Sequence, residues 1–134
     1  MDVNQPQTLK FGTLLREPDV RKAGDMREVI LDQEWAKKNL DVELYYMYRD
    51  LWLEEDHETI VKNDLRYDIT LIPARSIGKE FVKTKGHYHP ECSTGVSFPE
   101  IYEVLEGEAH YLLQRPEAGK IVDAVLVEAA PGDK

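Results

Sequence analysis

The sequence predicts an all-β domain, a meander or part of a barrel, behind a mixed N-terminal arm that carries one short helix. Three observations predict it. From Tyr67 onward the chain breaks into short segments: "YDITLIPA", "KEFVKTKGHYH", "EIYEVLEGEAHYLLQR" and "IVDAVLVEAAPG". Each is rich in β-branched and aromatic residues, and each is bounded by Gly, Pro or charge. "LEGEAHYL" reads as a turn between two antiparallel strands, with Gly107 supplying the backbone freedom. The best helix signal lies upstream of all of these, between Asp25 and Leu40.

A chain of 134 residues suits one compact domain with a modest core. We therefore read residues 1–134 as a single domain, with 1–41 as arm and helix and 42–134 as the barrel part. The stretch to about Gly24 is mixed and carries Pro6, Pro18 and the patch "TLKFGTLL", which fits an arm with one or two short strands. In "DMREVILDQEWAKKNL", Asp32 is a helix N-cap, Glu34 falls in the first turn, and Lys37 and Lys38 fall near the end. "VELYYMYRDLWL" (Val42 to Leu53) is apolar and aromatic, and its periodicity fits a strand or a helix equally. "EEDHETIVKNDLRYD" is acidic, and its His57 is most simply a solvated residue. There are no internal repeats and no low-complexity tract.

Composition narrows the classes of function. Hydrophobic content of 42% and charged content of 32% are those of a globular protein. A net charge of −9 repels nucleic acid and anionic membrane surfaces, so neither is an expected partner. An anionic substrate would need a local basic pocket. The single cysteine, Cys92, excludes a disulfide within the chain. The polar start "MDVNQPQTLK" is not a signal peptide, and no apolar run approaches bilayer-spanning length. The expected location is cytoplasmic.

Chemistry concentrates in "TKGHYHP", residues 84–90, which holds two of the four histidines. On a strand, His87 and His89 share a face and Tyr88 takes the other. Two imidazoles on one face can chelate a divalent transition metal, although a wet edge strand carrying two polar residues has the same spelling. A third ligand would come from the next strand. "FPEIYEVLEGE" offers Glu100, with Tyr102 on the same face. This makes a two-histidine, one-carboxylate set that leaves coordination positions open. Glu91 is the rival third ligand only if Pro90 does not end the strand.

"HYH" followed by "PEIYEVLEGEAHYLL" resembles the first half-motif of the cupin superfamily, which sets an HxH, a Glu and a Gly around a hairpin. The blocks "TLIPARSIGKEFVKTKGHYHP" and "GDMREVILDQEWAKKN" are closer to one branch. From about Arg21 onward the chain resembles the cupin-type (archaeal-type) glucose-6-phosphate isomerases. The resemblance implies an all-β cupin double-stranded β-helix, or jelly roll, with the arm and short helix in front. It implies metal ligands His87, His89 and Glu100, with Fe foremost and Mn, Ni, Co or Zn also acceptable to the donor set. It implies that a sugar phosphate sits near Thr70, Thr84 and Gly86, with Lys85 alongside. Hydroxyls and a glycine amide are suitable donors to phosphate oxygens. Lys79, Lys83 and Lys85 are either the basic patch there or solvated. Tyr102 would lie near the sugar and Glu100 would be the candidate base. A homodimer, with N-terminal strands packed across or exchanged, is implied as well.

Two departures from the family pattern stand out. "PECSTGVSFP" puts ten residues between His89 and Glu100, more than cupins usually use. After "EAAPGDK" the histidine of the second half-motif, the fourth cupin ligand, does not appear. His110 cannot replace it, because it follows Gly107 directly on the next strand. A barrel incomplete at the C-terminus, a site with fewer ligands, or a loss of activity would each account for this. The expected function is metal-dependent interconversion of glucose 6-phosphate and fructose 6-phosphate. The alternative is a non-catalytic cupin module that binds a sugar phosphate or metal.

Overall fold

The computed structural model describes residues 8–91 and 93–133. The chain divides into two compact units, the first running to Gly86 and the second starting at His87.

The first unit begins with two short hairpin strands, β1 (Leu9–Phe11) and β2 (Leu14–Arg16), paired antiparallel. Strand β3 (Asp19–Lys22) follows and runs into a turn of 3-10 helix, Ala23–Met26. Helix α1 spans Gln33–Lys38 and starts where the sequence predicts. Asp32 caps it by accepting a hydrogen bond from Trp35 N at 3.0 Å, with Glu34 in the first turn and Lys37 and Lys38 in the last. Strand β4 (Glu43–Tyr48) resolves the helix-or-strand ambiguity of the aromatic run. It is the centre of a three-stranded antiparallel sheet, between β3 and β5 (Ile69–Leu71). Leu44, Tyr45, Tyr46 and Tyr48 are all buried, so both faces of β4 are covered. A strand covered on both faces loses the alternation that would have announced it.

Between β4 and β5 the structure adds a second short helix, α2 (His57–Lys62), in the acidic stretch where none is predicted. None of its residues is buried, and the ring of His57 lies 4.1 Å from that of Trp52. A two-residue turn, Gly78–Lys79, joins β6 (Ser76–Ile77) to β7 (Glu80–Phe81). The core gathers Ala23, Met26, Ile30, Ala36, Leu44, Tyr45 and Ile77, with Trp35, Val42, Met47 and Val82 against it.

The second unit is dominated by one antiparallel hairpin, β8 (Ala109–Glu117) and β9 (Lys120–Ala129). Its turn is Ala118–Gly119, both at positive φ (48° and 77°). This is the two-residue geometry that matches strand twist. The predicted hairpin turn at Gly107 is therefore corrected. Gly107 does adopt positive φ (81°), but residues 101–105 form no ladder before it. The predicted "HYH" strand is corrected too: β7 ends at Phe81, and residues 82–90 belong to no strand. Pro90 supplies no N–H, and the glycine at 86 weakens strand pairing.

The all-β prediction holds, since the sheets are all antiparallel and the helices few and short.

Candidate functional site

The ten-residue stretch between His89 and Glu100 folds back on itself. Phe98 N donates to Pro90 O at 3.2 Å, and Glu91 pairs with Ser97 as an isolated antiparallel bridge. Cys92 lies outside the described residues. This closed loop removes the effect of the extra length. His89 Nε2 lies 3.0 Å from Glu100 Oε2. The backbone of Glu91, the rival ligand, forms the base of this loop.

His89 has a second contact that fixes its chemistry. Its Nδ1 lies 3.2 Å from the carbonyl oxygen of Phe98. A carbonyl can only accept, so Nδ1 carries the hydrogen. In the neutral ring Nε2 then bears a lone pair, and it faces a carboxylate oxygen. Two lone-pair groups at this distance require a shared cation, either a proton or a metal ion. Ligand bonds of about 2.1 Å place adjacent octahedral donors about 3 Å apart. A backbone carbonyl behind the ring is the usual support for a ligating histidine. The donor chemistry therefore fits a divalent metal.

His87 stands beside this pair, its ring centroid 5.5 Å from that of His89 with a 46° tilt. The two rings are neighbours, though no strand aligns them. Among the described residues no three His, Cys, Asp or Glu side chains gather around one point. The second unit thus presents His89 and Glu100 as an assembled pair and His87 next to it.

Tyr102 joins the pair by donating its hydroxyl to Glu100 Oε2. Burial, the hydrogen bond to Glu100 and the charge of that carboxylate push Tyr102 up to about 12. Its ring packs on Tyr111, with centroids 5.1 Å apart and a 46° tilt. Tyr111 escaped the sequence reading. The signal that finds it is its place on β8, between the exposed His110 and Leu112. His110 is engaged elsewhere, 3.0 Å from the exposed Glu108.

The predicted phosphate residues lie in the first unit. Thr70 sits in β5 opposite Met47 of β4. Thr84, Lys85 and Gly86 are exposed and free of regular structure, and a Cβ at Gly86 would meet nothing within 4 Å. The Gly86 backbone is therefore open on that side. Lys85 N donates to the hydroxyl of buried Tyr45 at 3.3 Å, a contact the sequence did not announce. Lys83 is committed to Glu80, Nζ to Oε2, at 2.5 Å.

Residues 20–134 match the family described as Glucose-6-phosphate isomerase (GPI). The chain belongs to this family. Glucose-6-phosphate isomerases resembling it include those of Thermococcus gammatolerans, 37% identical over 115 residues, and Thermococcus litoralis, 31% identical over 113. The Pyrococcus furiosus glucose-6-phosphate isomerase is 30% identical over 113 residues. Each match covers 84% of this chain, and 53–54% of the relative's own length. The chain thus spans about half the length of the curated relatives it matches. No solved structure matches it significantly. The antiparallel sheets are those of a cupin-like fold, as family membership requires. Among the described residues no helix is long and apolar enough to cross a membrane.

Proposed function

We propose that this chain carries the catalytic half-site of a metal-dependent glucose-6-phosphate isomerase, interconverting glucose 6-phosphate and fructose 6-phosphate. The observation that carries the reading is the His89–Glu100–Tyr102 array, whose facing lone pairs call for a shared cation. Membership of the isomerase family supports it.

His87, His89 and Glu100 would hold the ion, with iron foremost and manganese, nickel, cobalt or zinc compatible with the donors. Bound there, a divalent metal would supply Lewis-acid polarisation of the C1 and C2 oxygens. Glu100 would take the C2 proton of the open-chain aldose while the aldehyde oxygen gains a proton. Returning a proton to C1, as the O2 hydrogen leaves, completes the ketose. Tyr102 stays protonated at neutral pH and so donates to Glu100 throughout. Thr70, Thr84, Gly86 and Lys85 would bind the phosphate, whose remote binding energy orients the reacting carbons. A hydride moved directly from C2 to C1 is the competing route. Deuterium incorporation from solvent marks the proton route and is absent from the hydride route. The family resemblance carries a homodimer and a cytoplasmic location with it, and sedimentation tests the dimer.

The test of function is a coupled assay of fructose 6-phosphate isomerisation, run after chelation and again after single divalent metals are returned. Metal-dependent turnover lost in His87→Ala establishes the isomerase. The second reading, a module that binds sugar phosphate or metal without turnover, draws on His87 standing outside the assembled pair. Calorimetric binding of fructose 6-phosphate with no product under any metal selects it.

A further inference from the structure

The stretch that leads to Thr84 is fastened to the loop before α1, and one carboxylate does the fastening. Glu80 Oε1 accepts from Leu31 N at 2.6 Å, while its Oε2 meets Lys83 Nζ at 2.5 Å. The Glu80 side chain is 16% exposed and that of Lys83 39%, so the carboxylate is the better shielded of the two and the pair is partly shielded from competing water. The turn beside it is seated on the same loop: Gly78, at φ 69°, lies so close to Asp32 that a Cβ there would fall 2.6 Å from Asp32 Cβ. Val82 packs against the core and donates its N–H to Arg75 O at 3.0 Å. Three positions later, Lys85 N is tied to Tyr45. Thr84 is therefore exposed between two attachments, the Lys83 side chain on one side and the Lys85 amide on the other.

From this geometry we infer that Glu80 is a positioning residue for phosphate binding, and that Lys83 is its strut and not a phosphate ligand. The inference rests on the phosphate reading given above. A ligand lysine would present its ammonium to the anion. Lys83 has spent it on Glu80, and the pair, with the Leu31 hydrogen bond, fastens the segment to the loop before α1. A fixed segment binds an anion without first losing its own freedom.

The test is calorimetric titration of the full chain with fructose 6-phosphate and with inorganic phosphate, so it does not depend on turnover. Glu80→Gln keeps an acceptor for Leu31 N but cannot accept from Lys83. Lys83→Met keeps the stem and removes the charge. Each should weaken binding of both anions about fivefold, the scale of a partly shielded ion pair. The double variant should be no weaker than either single, because the two residues act as one unit. The melting temperature of Glu80→Gln should stay close to wild type, separating positioning from folding. Tighter phosphate binding by Glu80→Gln would overturn the inference, since it would mean a freed Lys83 binds the anion. Additive losses would overturn it as well. Thr84→Val separates the two levels. If it weakens binding while the Glu80 and Lys83 variants do not, only the clamp falls. If Thr84→Val changes nothing for either anion, the phosphate reading falls and takes the clamp with it.

Discussion

His89 and Glu100 meet at 3.0 Å although ten residues of loop separate them, and the Phe98 carbonyl behind His89 turns the Nε2 lone pair toward the carboxylate. Removing either partner should remove the proposed cation site. Glu100→Gln should keep the size of the side chain, lose the anionic donor and lower kcat about a hundredfold or more, the usual range for loss of an acid–base group. His89→Ala should abolish metal retention. Metal content after dialysis, measured by elemental analysis beside the coupled assay, checks both. Full metal retention by His89→Ala would contradict the assignment.

Tyr102 should remain a phenol well past neutral pH. Its value near 12 follows from burial, the hydrogen bond to Glu100 and that residue's charge. In the metal-free protein, ultraviolet titration should show late-titrating tyrosines, Tyr46 and Tyr48 among them, and the component near 12 should disappear in Tyr102→Phe. The same titration of Glu100→Gln should bring Tyr102 down, because a neutral amide no longer repels the phenolate. An unchanged value there would leave burial as the whole cause.

Some of this was legible in the sequence and some could not be. The α1 cap was legible because Asp32, Glu34, Lys37 and Lys38 are local signals that need no tertiary partner. Glu100 and Tyr102 were legible as a pair because i and i+2 keep similar directions in any extended backbone, with or without a ladder. The strand expected at His87–His89 was not observed, since hydrogen-bonded pairing depends on a partner strand that local spelling does not specify. The acidic stretch around His57 hid α2 because its residues are exposed and give no apolar face to detect. Tyr45 meets Lys85, and Glu80 meets Leu31, across forty or more residues, and Tyr111 meets Tyr102 across a turn, so nothing adjacent in sequence announces these partners.

The first unit should weaken in alkali. Tyr48 and Tyr46 both lie above the usual tyrosine value. Burial is the leading cause for each, with Glu43 hydrogen-bonded to Tyr46 and the charge of Glu17 acting on Tyr48. The fold favours their protonated forms. The stability they contribute is full below the unfolded tyrosine value of about 10 and is lost as pH rises through the higher folded values. Both tryptophans of the chain, Trp35 and Trp52, belong to this unit, so denaturant unfolding followed by their fluorescence reports on it. The midpoint should hold from pH 7 to 9 and fall above about 10. Tyr48→Phe should flatten part of that fall.

Gly78→Ala should be the most damaging single-methyl change in this unit. The residue sits at φ 69°, where an L side chain is strained, in the first position of the two-residue turn between β6 and β7. The new methyl would also overlap Asp32, the N-cap of α1. Backbone strain of this kind costs roughly 1–3 kcal/mol. If Asp32 moves to make room, loss of its cap adds about 1 kcal/mol. Asp32→Ala alone should cost only that second part, since it removes the cap and leaves the turn unstrained. The double variant isolates the cap: with Asp32 cut back to a methyl, Gly78→Ala should retain its backbone penalty and the overlap with the Cβ at position 32, and lose only the cost of the displaced cap. Trp35, whose amide donates to the Asp32 carboxylate, makes fluorescence-detected unfolding a direct measure of the difference. Equal costs for Gly78→Ala in the presence and absence of the Asp32 carboxylate would show that turn and cap are energetically independent, despite their contact.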